Sequence, residues 1–368
     1  MSYKGKIKIL RIGTHPTDAL NTVGYHAYWV NNNDQFSTTH ISPKITGKPL
    51  KIKGEVKIIR FWFFNIPKPK KSNLLFKVAH DICRVASIAY FSLRTLSYIY
   101  DKDIVHLHSP MYIPIGLFAK LFNKKIYLTF HGEDFFVIRK SIMYKVSAKI
   151  FSAVFTLSPE IRSELEIIHR CPIIDVNNGV DLSRYRNFNN DRKNQILMVS
   201  SFKRQKGHIY MVKAFKEFIK YNKSYRLVLV GEGILKKEIK KYCDVNGISD
   251  QLVFTGYLKS EEIIDLYNNS EIFVLPSLWE GFPKVLLEAL ACGCKVITTK
   301  VDGALKVFDS DYRYFVDHSD VQALLKALLD IVADFEYYDL PTREIVKKYK
   351  WSDVSYPYVV QYKFDLKI

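Results

Sequence analysis

Short apolar runs alternate with stretches of helical spacing along most of the chain, and no other feature restricts the fold as much. KIKILRIG (6–13), EVKIIRFWFF (55–64), DIVHLH (103–108), KIYLTFHG (125–132) and AVFTLS (153–158) read as strands. Residues 74–100, 111–122 and 138–151 lie between them with helical spacing. The plan then starts again, with NQILMVSS (194–201), YRLVLVG (225–231), QLVFTG (251–256), EIFVLP (271–276) and CKVITT (294–299) as strands. Helices are predicted over 207–221, 233–245, 260–268, 283–292 and 319–333. Strands separated by helices pair in parallel, and the helices cover the sheet faces. The prediction is therefore α/β, with two Rossmann-like doubly wound domains facing a cleft. The polar stretch RYRNFNNDRKN (184–194) reads as a linker. It divides residues 1–188 from 189–350, and 351–368 is expected to be a C-terminal helix packing back on the first domain. Ligands in such sheets gather at the carboxyl ends of the strands.

Composition sets further bounds. The chain has 368 residues, enough for two domains, and is 48% hydrophobic and 25% charged, as in soluble globular proteins. No uncharged apolar run reaches the length of a transmembrane helix. The start, MSYKGKIKILRIGTHP, is basic but too briefly apolar for a secretory signal. Cys83, Cys171, Cys243, Cys292 and Cys294 form no even framework and no paired metal spacing, which suits reduced thiols in a cytoplasmic protein. Net charge is +18, of which residues 1–188 carry +15 and residues 189–368 carry +3. Such a half attracts nucleic acid, an anionic membrane or an anionic substrate, unless its lysines are simply solvated.

WEGFPKVLLEALACG (279–293) poses the sharpest question. A helix from Pro283 to about Cys292 is apolar on nearly every side and therefore buried, yet Glu288 sits in its second turn. An unpaired buried carboxylate costs several kcal/mol. It is either paired with Lys284 one turn earlier or kept as an acceptor for a ligand.

SLWEGFPKVLLEALACGCKVIT, with glutamates at 280 and 288, is similar to the signature of the retaining glycosyltransferase family 4 of GT-B fold. LYNNSEIFVLPS (266–277), SSFKRQKGH (200–208), NNGVD (177–181), IVHLHSP (104–110) and FHGED (130–134) extend the resemblance, which is strong from about residue 100 and weak over 14–100. It implies a nucleoside-diphosphate sugar as donor and a glycan or lipid-linked acceptor, in polysaccharide or glycoconjugate synthesis. It implies no cofactor and no required metal. Glu288 then takes the ribose hydroxyls and Glu280 the sugar hydroxyls. Lys206 meets the diphosphate together with the amides of Lys284 and its neighbours at a helix start, next to Phe282 and Pro283. His131 would contact the sugar and the developing charge, with Asp134 nearby. The resemblance names no covalent nucleophile.

The sequence also departs from the family. Ser201 stands where an arginine usually clamps phosphate, with Lys203 and Arg204 close by. Asp302-Gly303 replaces a usual glycine pair, and Lys306 a usual glutamate. The first loop, THPTDALNTVGYH (14–26), offers Gly24 alone on the acceptor side. Rival readings are a nucleotide-sugar epimerase of the same fold and a non-catalytic nucleotide-sugar-binding subunit. Asp101-Lys102-Asp103 and Asp309-Ser310-Asp311 match the short D-x-D pattern of metal-dependent transferases. No recognition motif supports nucleic acid. FWFFNIPKPKK (61–71) puts aromatic residues before Lys68, Lys70 and Lys71, a candidate contact with an anionic membrane at the cytoplasmic face. The alternative is a buried FWFF strand followed by a solvated loop.

Overall fold

The structure is a computed structural model that describes residues 6–13, 35–44, 56–62, 74–131, 141–158, 161–333 and 342–368. The chain forms two units, residues 1–177 with 351–368, and residues 178–350.

The first unit holds β1 (Ile7–Ile12), β2 (Phe36–Lys44), β3 (Lys57–Trp62), β4 (Ile104–Leu107), β5 (Lys125–Phe130), β6 (Ala153–Thr156) and β7 (Ile173–Asp175). They make one sheet in the order β3-β2-β1-β4-β5-β6-β7, and every pairing is parallel. Helices Leu74–Leu96, Ile113–Leu121, Ile142–Ser147 and Arg162–Ile168 follow crossovers that all run the same way along the sheet. Right-handed crossovers place such helices on one face. Leu10, Ile12, Val105, Leu107, Ile126 and Leu128 point to that face and form its core.

The other face is unusually polar. Arg11, His40 and His106 lie in register on β1, β2 and β4, all buried, and Arg11 and His106 meet the C-terminal helix Tyr356–Leu366. Arg11 Nη2 donates to Tyr362 Oη at 3.1 Å, and the same hydroxyl bonds His106 Nδ1. Tyr127 Oη donates to Asp365 at 2.7 Å. The helix is thus anchored by matched polar groups as well as by stacking of Tyr358 on Phe155.

The second unit holds β8 (Lys193–Val199), β9 (Arg226–Val230), β10 (Leu252–Gly256), β11 (Ser270–Leu275), β12 (Lys295–Thr299) and β13 (Phe315–Val316). The order is β10-β9-β8-β11-β12-β13, again parallel throughout. Its core gathers Ile196, Met198, Leu227, Leu229 and Val274 of the sheet with Phe215, Phe218 and Leu328 of the helices.

Two sequence expectations change. The boundary falls at residue 178, eleven residues before the predicted 189. Residues 184–194 are no linker, because they are tied to the second unit throughout. Arg184 pairs with Glu261 at 2.8 Å, and the Phe188 amide donates to Asn268. Arg192 donates to the carbonyls of Tyr267 and Ser270 and to that of Cys292, so one guanidinium binds the carboxyl ends of two helices. The polar composition that suggested a linker is the composition of helix capping. Phe61 is buried against Phe91 and Tyr98, which removes it from the candidate membrane contact. Residues 63–71 of that stretch lie outside the described residues, as do Gly24 and Asp134.

Candidate active site

The carboxyl edge of the second sheet brings together most of the predicted donor-side residues. After β8 the chain passes Ser201, half-buried, then the exposed Lys203 and Arg204, in a single 3₁₀ turn over Arg204–Lys206. Gly207 ends that turn at φ +72°, a region that favours glycine. A methyl group there would lie 1.9 Å from the Pro276 carbonyl oxygen. The turn therefore seats directly on the end of β11, where the Leu278 amide also donates to the Gln205 carbonyl at 2.7 Å.

This seating brings Lys206 to Glu280, which are 74 residues apart in sequence. Lys206 Nζ donates to Glu280 Oε1 at 2.6 Å, and Ser277 Oγ donates to the same oxygen at 2.7 Å. Glu280 is only 8% exposed. The two residues that the resemblance sends to phosphate and sugar thus neutralise each other. Neither charge is buried unpaired, and each can be drawn onto a ligand group of opposite polarity.

The loop beyond Glu280 is held from several sides. Phe282 is buried, its carbonyl accepts from Asn178 Nδ2 at 2.8 Å, and its ring meets Tyr349 and the Lys306 ammonium. Lys306, in place of the usual glutamate, thus lies over an aromatic face. The Gly303 amide donates to the Glu280 carbonyl, and a methyl at Gly303 would come within 2.6 Å of Pro283 Cδ. Glycine is required at 303, whereas Asp302 occupies the first turn of a short helix, Asp302–Leu305.

The next helix starts at Lys284 with Pro283 as its N-cap, one residue later than predicted, because Pro283 has an extended ψ of 104°. No residue of Lys284–Ala291 is exposed, as the all-round apolar pattern requires. Glu288 is half-buried and accepts from Tyr267 Oη at 3.3 Å. No ion pair joins it to Lys284 among the described residues. Burial, and then the Glu288 carboxylate, push the Tyr267 hydroxyl well above its usual range, so Tyr267 remains a donor to Glu288. Nothing in the sequence assigns Tyr267 a role, because a hydroxyl that reaches a residue 21 positions away has no local signal. The same holds for His208. It stacks on Phe202 at 4.0 Å and approaches Ser200 Oγ at 3.3 Å.

In the first unit, His131 follows β5 at the carboxyl edge of the sheet. Its Nε2 lies 3.2 Å from Nδ1 of His108, which follows β4. His108 stacks in turn on His106, whose Nε2 bonds Thr129 Oγ1 at 2.7 Å. The H-x-H of IVHLHSP thus orients the His131 ring, since a shared hydrogen bond fixes which nitrogen carries the proton.

The carboxylates of the first D-x-D match make structural contacts. Asp103 accepts from the Lys8 amide at 2.8 Å, and Asp101 pairs with Lys102 at 2.7 Å, both at the amino edge of the first sheet. Asp309 lends its carbonyl to the Tyr312 amide in a turn. The five cysteines form no disulfides, and burial raises the Cys294 thiol to about 12.

Comparison with known proteins fits this arrangement. The chain resembles sucrose-phosphate synthase of Thermosynechococcus elongatus at a TM-score of 0.77 and 18% identity, covering 98% of this chain and all of that one. Anabaena HepE, solved with UDP and glucose, matches at 0.76 and 14%, covering 97% and 99%. The fold is GT-B. The profile of "Glycosyl transferases group 1" matches residues 181–350, and that of "Glycosyltransferase Family 4" matches residues 57–184. The chain belongs to this glycosyltransferase family. An uncharacterized glycosyltransferase of Methanocaldococcus jannaschii is 23% identical over 48% of this chain, a match that spans about half (47%) of the relative's length. The UDP-Gal:alpha-D-GlcNAc-diphosphoundecaprenol alpha-1,3-galactosyltransferase of Escherichia coli is 29% identical, over 63% of this chain and 67% of its own.

Proposed function

We propose that this glycosyltransferase moves a hexose from a nucleoside-diphosphate sugar to a glycan or lipid-linked acceptor, with retention of anomeric configuration, in polysaccharide or glycoconjugate synthesis. The observation that carries the reading is the Lys206–Glu280 pair at the carboxyl edge of β8 and β11, four residues ahead of the helix that starts at Lys284. As the donor binds, the Lys206 ammonium turns to the diphosphate, and the amides of Lys284 and Val285 add the positive end of the helix. Glu280 is then an acceptor for sugar hydroxyls, still held by Ser277. Glu288, backed by Tyr267, takes the ribose hydroxyls. The reaction breaks the bond from the anomeric carbon to the β-phosphate oxygen. Charge gathers on the departing diphosphate, where a fixed cation and amides stabilise it most. His131 is assigned the sugar and the developing charge. The arginine usual at Ser201 is replaced in this reading by Lys203 or Arg204. A divalent metal is not required, so EDTA leaves turnover unchanged.

The donor names in the relatives support a UDP-sugar, and the galactosyltransferase's diphosphoundecaprenol acceptor supports a lipid-linked one used at the cytoplasmic face. The test is thermal shift and slow donor hydrolysis across UDP-, GDP- and ADP-sugars, followed by proton NMR of the transferred anomeric centre. One donor series should stabilise the protein and be consumed with retention. Release of an isomerised nucleotide sugar would instead make the protein an epimerase. Binding without turnover of any donor or acceptor would make it a scaffold.

A further inference from the structure

The helix Leu74–Leu96 has its polarity inverted. Its buried side carries Ser87, Phe91 and Thr95, and its exposed side carries Val78, Ile82, Val85 and Leu93. The exposed positions recur in steps of three, four and eight residues (Ala89 fills the last gap and is exposed too), so they form one stripe along the helix. Ile82 is 62% exposed and Leu93 64%. A single exposed aliphatic residue is ordinary in soluble proteins, but a contiguous set is not.

The stripe does not stand alone. Helix Ile113–Leu121 packs beside this helix on the same face of the first sheet, and helix Ile142–Ser147 packs beside that one. The former exposes Leu117, Phe118 and Leu121, with Phe122 just beyond it. The latter exposes Ile142 and Val146, at 79% and 69%. Three adjacent helices therefore turn aliphatic and aromatic side chains outward from one face. Over residues 74–96, 113–125 and 142–150 the sequence holds eight Lys or Arg and a single carboxylate, Asp81. Lys120, Lys145 and Lys149 are exposed among the apolar groups. Among the described residues, no helix is long and apolar enough to cross a membrane.

We propose that this three-helix face docks on an anionic lipid bilayer, with the aliphatic stripe entering the headgroup boundary and the lysines meeting lipid phosphates. Charge selects the occupant. A second copy of the chain would set the exposed Lys120, Lys145 and Lys149 against their own like charges, whereas an anionic leaflet neutralises them. Helices lying in the interface plane combine apolar burial with basic flanks in this way, and lysine stems reach outward to keep their ammonium groups at phosphate depth. The contact lies on helices 74–96, 113–121 and 142–147, not on the 61–71 stretch. It extends the reading of a lipid-linked acceptor given above. Vesicle binding is measured without acceptor, so the two can fail separately.

The test is co-sedimentation of the full chain with phosphatidylcholine vesicles containing or lacking about one third phosphatidylglycerol, at low and high salt. The wild type should bind the anionic vesicles at low salt, release at high salt and ignore pure phosphatidylcholine. Ile82→Gln/Val85→Gln/Leu93→Gln should lower vesicle affinity at least tenfold, about 1.4 kcal/mol. Lys120→Gln/Lys145→Gln, a milder surface change, should do so in a salt-dependent way. Both should leave hydrolysis of the preferred nucleotide sugar unchanged. Absence of binding to anionic vesicles, or binding unaffected by both sets of changes, overturns the proposal. So does a lipid-free dimer, seen by analytical ultracentrifugation, that the aliphatic changes dissociate, since the face would then join two copies.

Discussion

At the scale of single residues, the site turns on three carboxylate contacts. Glu288→Gln keeps the shape of the group but removes its charge and makes half of it a donor. Donor affinity should fall at least tenfold, about 1.4 kcal/mol, in titration calorimetry with the preferred nucleotide. Unchanged affinity in a folded variant would remove Glu288 from the ribose site. Lys206→Ala does something different. It leaves the Glu280 carboxylate buried with Ser277 as its hydrogen-bond donor, which should cost about 3 kcal/mol of stability. It should also weaken nucleoside diphosphate more than nucleoside. Adding Glu280→Gln should restore much of the stability without restoring diphosphate affinity, which separates the structural role from the phosphate role. Equal weakening of nucleotide and nucleoside would sink the phosphate assignment. Both glutamates and the lysine were legible in the sequence, because the motif spacing carries them. The Lys206–Glu280 pair was not, since only the closure of Gly207 onto Pro276 brings residues 74 apart into contact.

At the scale of elements, glycines set how closely the site loops approach the sheet. Gly207→Ala forces a methyl against the Pro276 carbonyl and should cost on the order of 3 kcal/mol, with donor affinity lost as the Lys206 turn lifts away. Gly247, at φ +65° with open space around it, is the control. Its change to alanine should cost only about 1 kcal/mol of backbone strain and leave donor binding intact. Chemical denaturation and calorimetry read both, and equal costs would show that close approach at 207 is not the constraint. The C-terminal helix Tyr356–Leu366 is tested by Tyr362→Phe. That change removes the hydroxyl holding Arg11 and His106 and should destabilise the first unit by about 2 kcal/mol. An unchanged unfolding midpoint would show that ring packing alone holds the helix. Most strands and helices were legible because apolar runs and helical spacing differ in period. QFSTTHISPK was not, since β2 buries Thr38, His40 and Ser42 where a strand reading looks for aliphatic residues. β7 and β13, of three and two residues, are too short to carry any period.

At the scale of the whole molecule, buried histidines make stability depend on pH, and the two units should respond unequally. Burial, assisted by the Arg11 charge, lowers His40 from 6.5 to about 4. Burial lowers His169 to about 4 against the opposing bond from the Ala148 carbonyl. Both lie in the first unit. In the second, burial and then Lys206 lower His208 to about 3. Each native ring stays neutral over a range where the unfolded chain takes up a proton. The contribution is therefore complete above pH 6.5 and declines as pH falls toward 4 for His40 and His169, and toward 3 for His208. The slope is on the order of 1.4 kcal/mol per pH unit for each histidine. Each unit has its own core, so urea unfolding should resolve two transitions. Between pH 7 and 5 the first-unit midpoint should fall about twice as steeply as the second. His208→Asn should flatten the pH response of the second transition and leave the first as it was. Midpoints that stay level from pH 7 to 5 would mean that these rings gain protons without opening the fold.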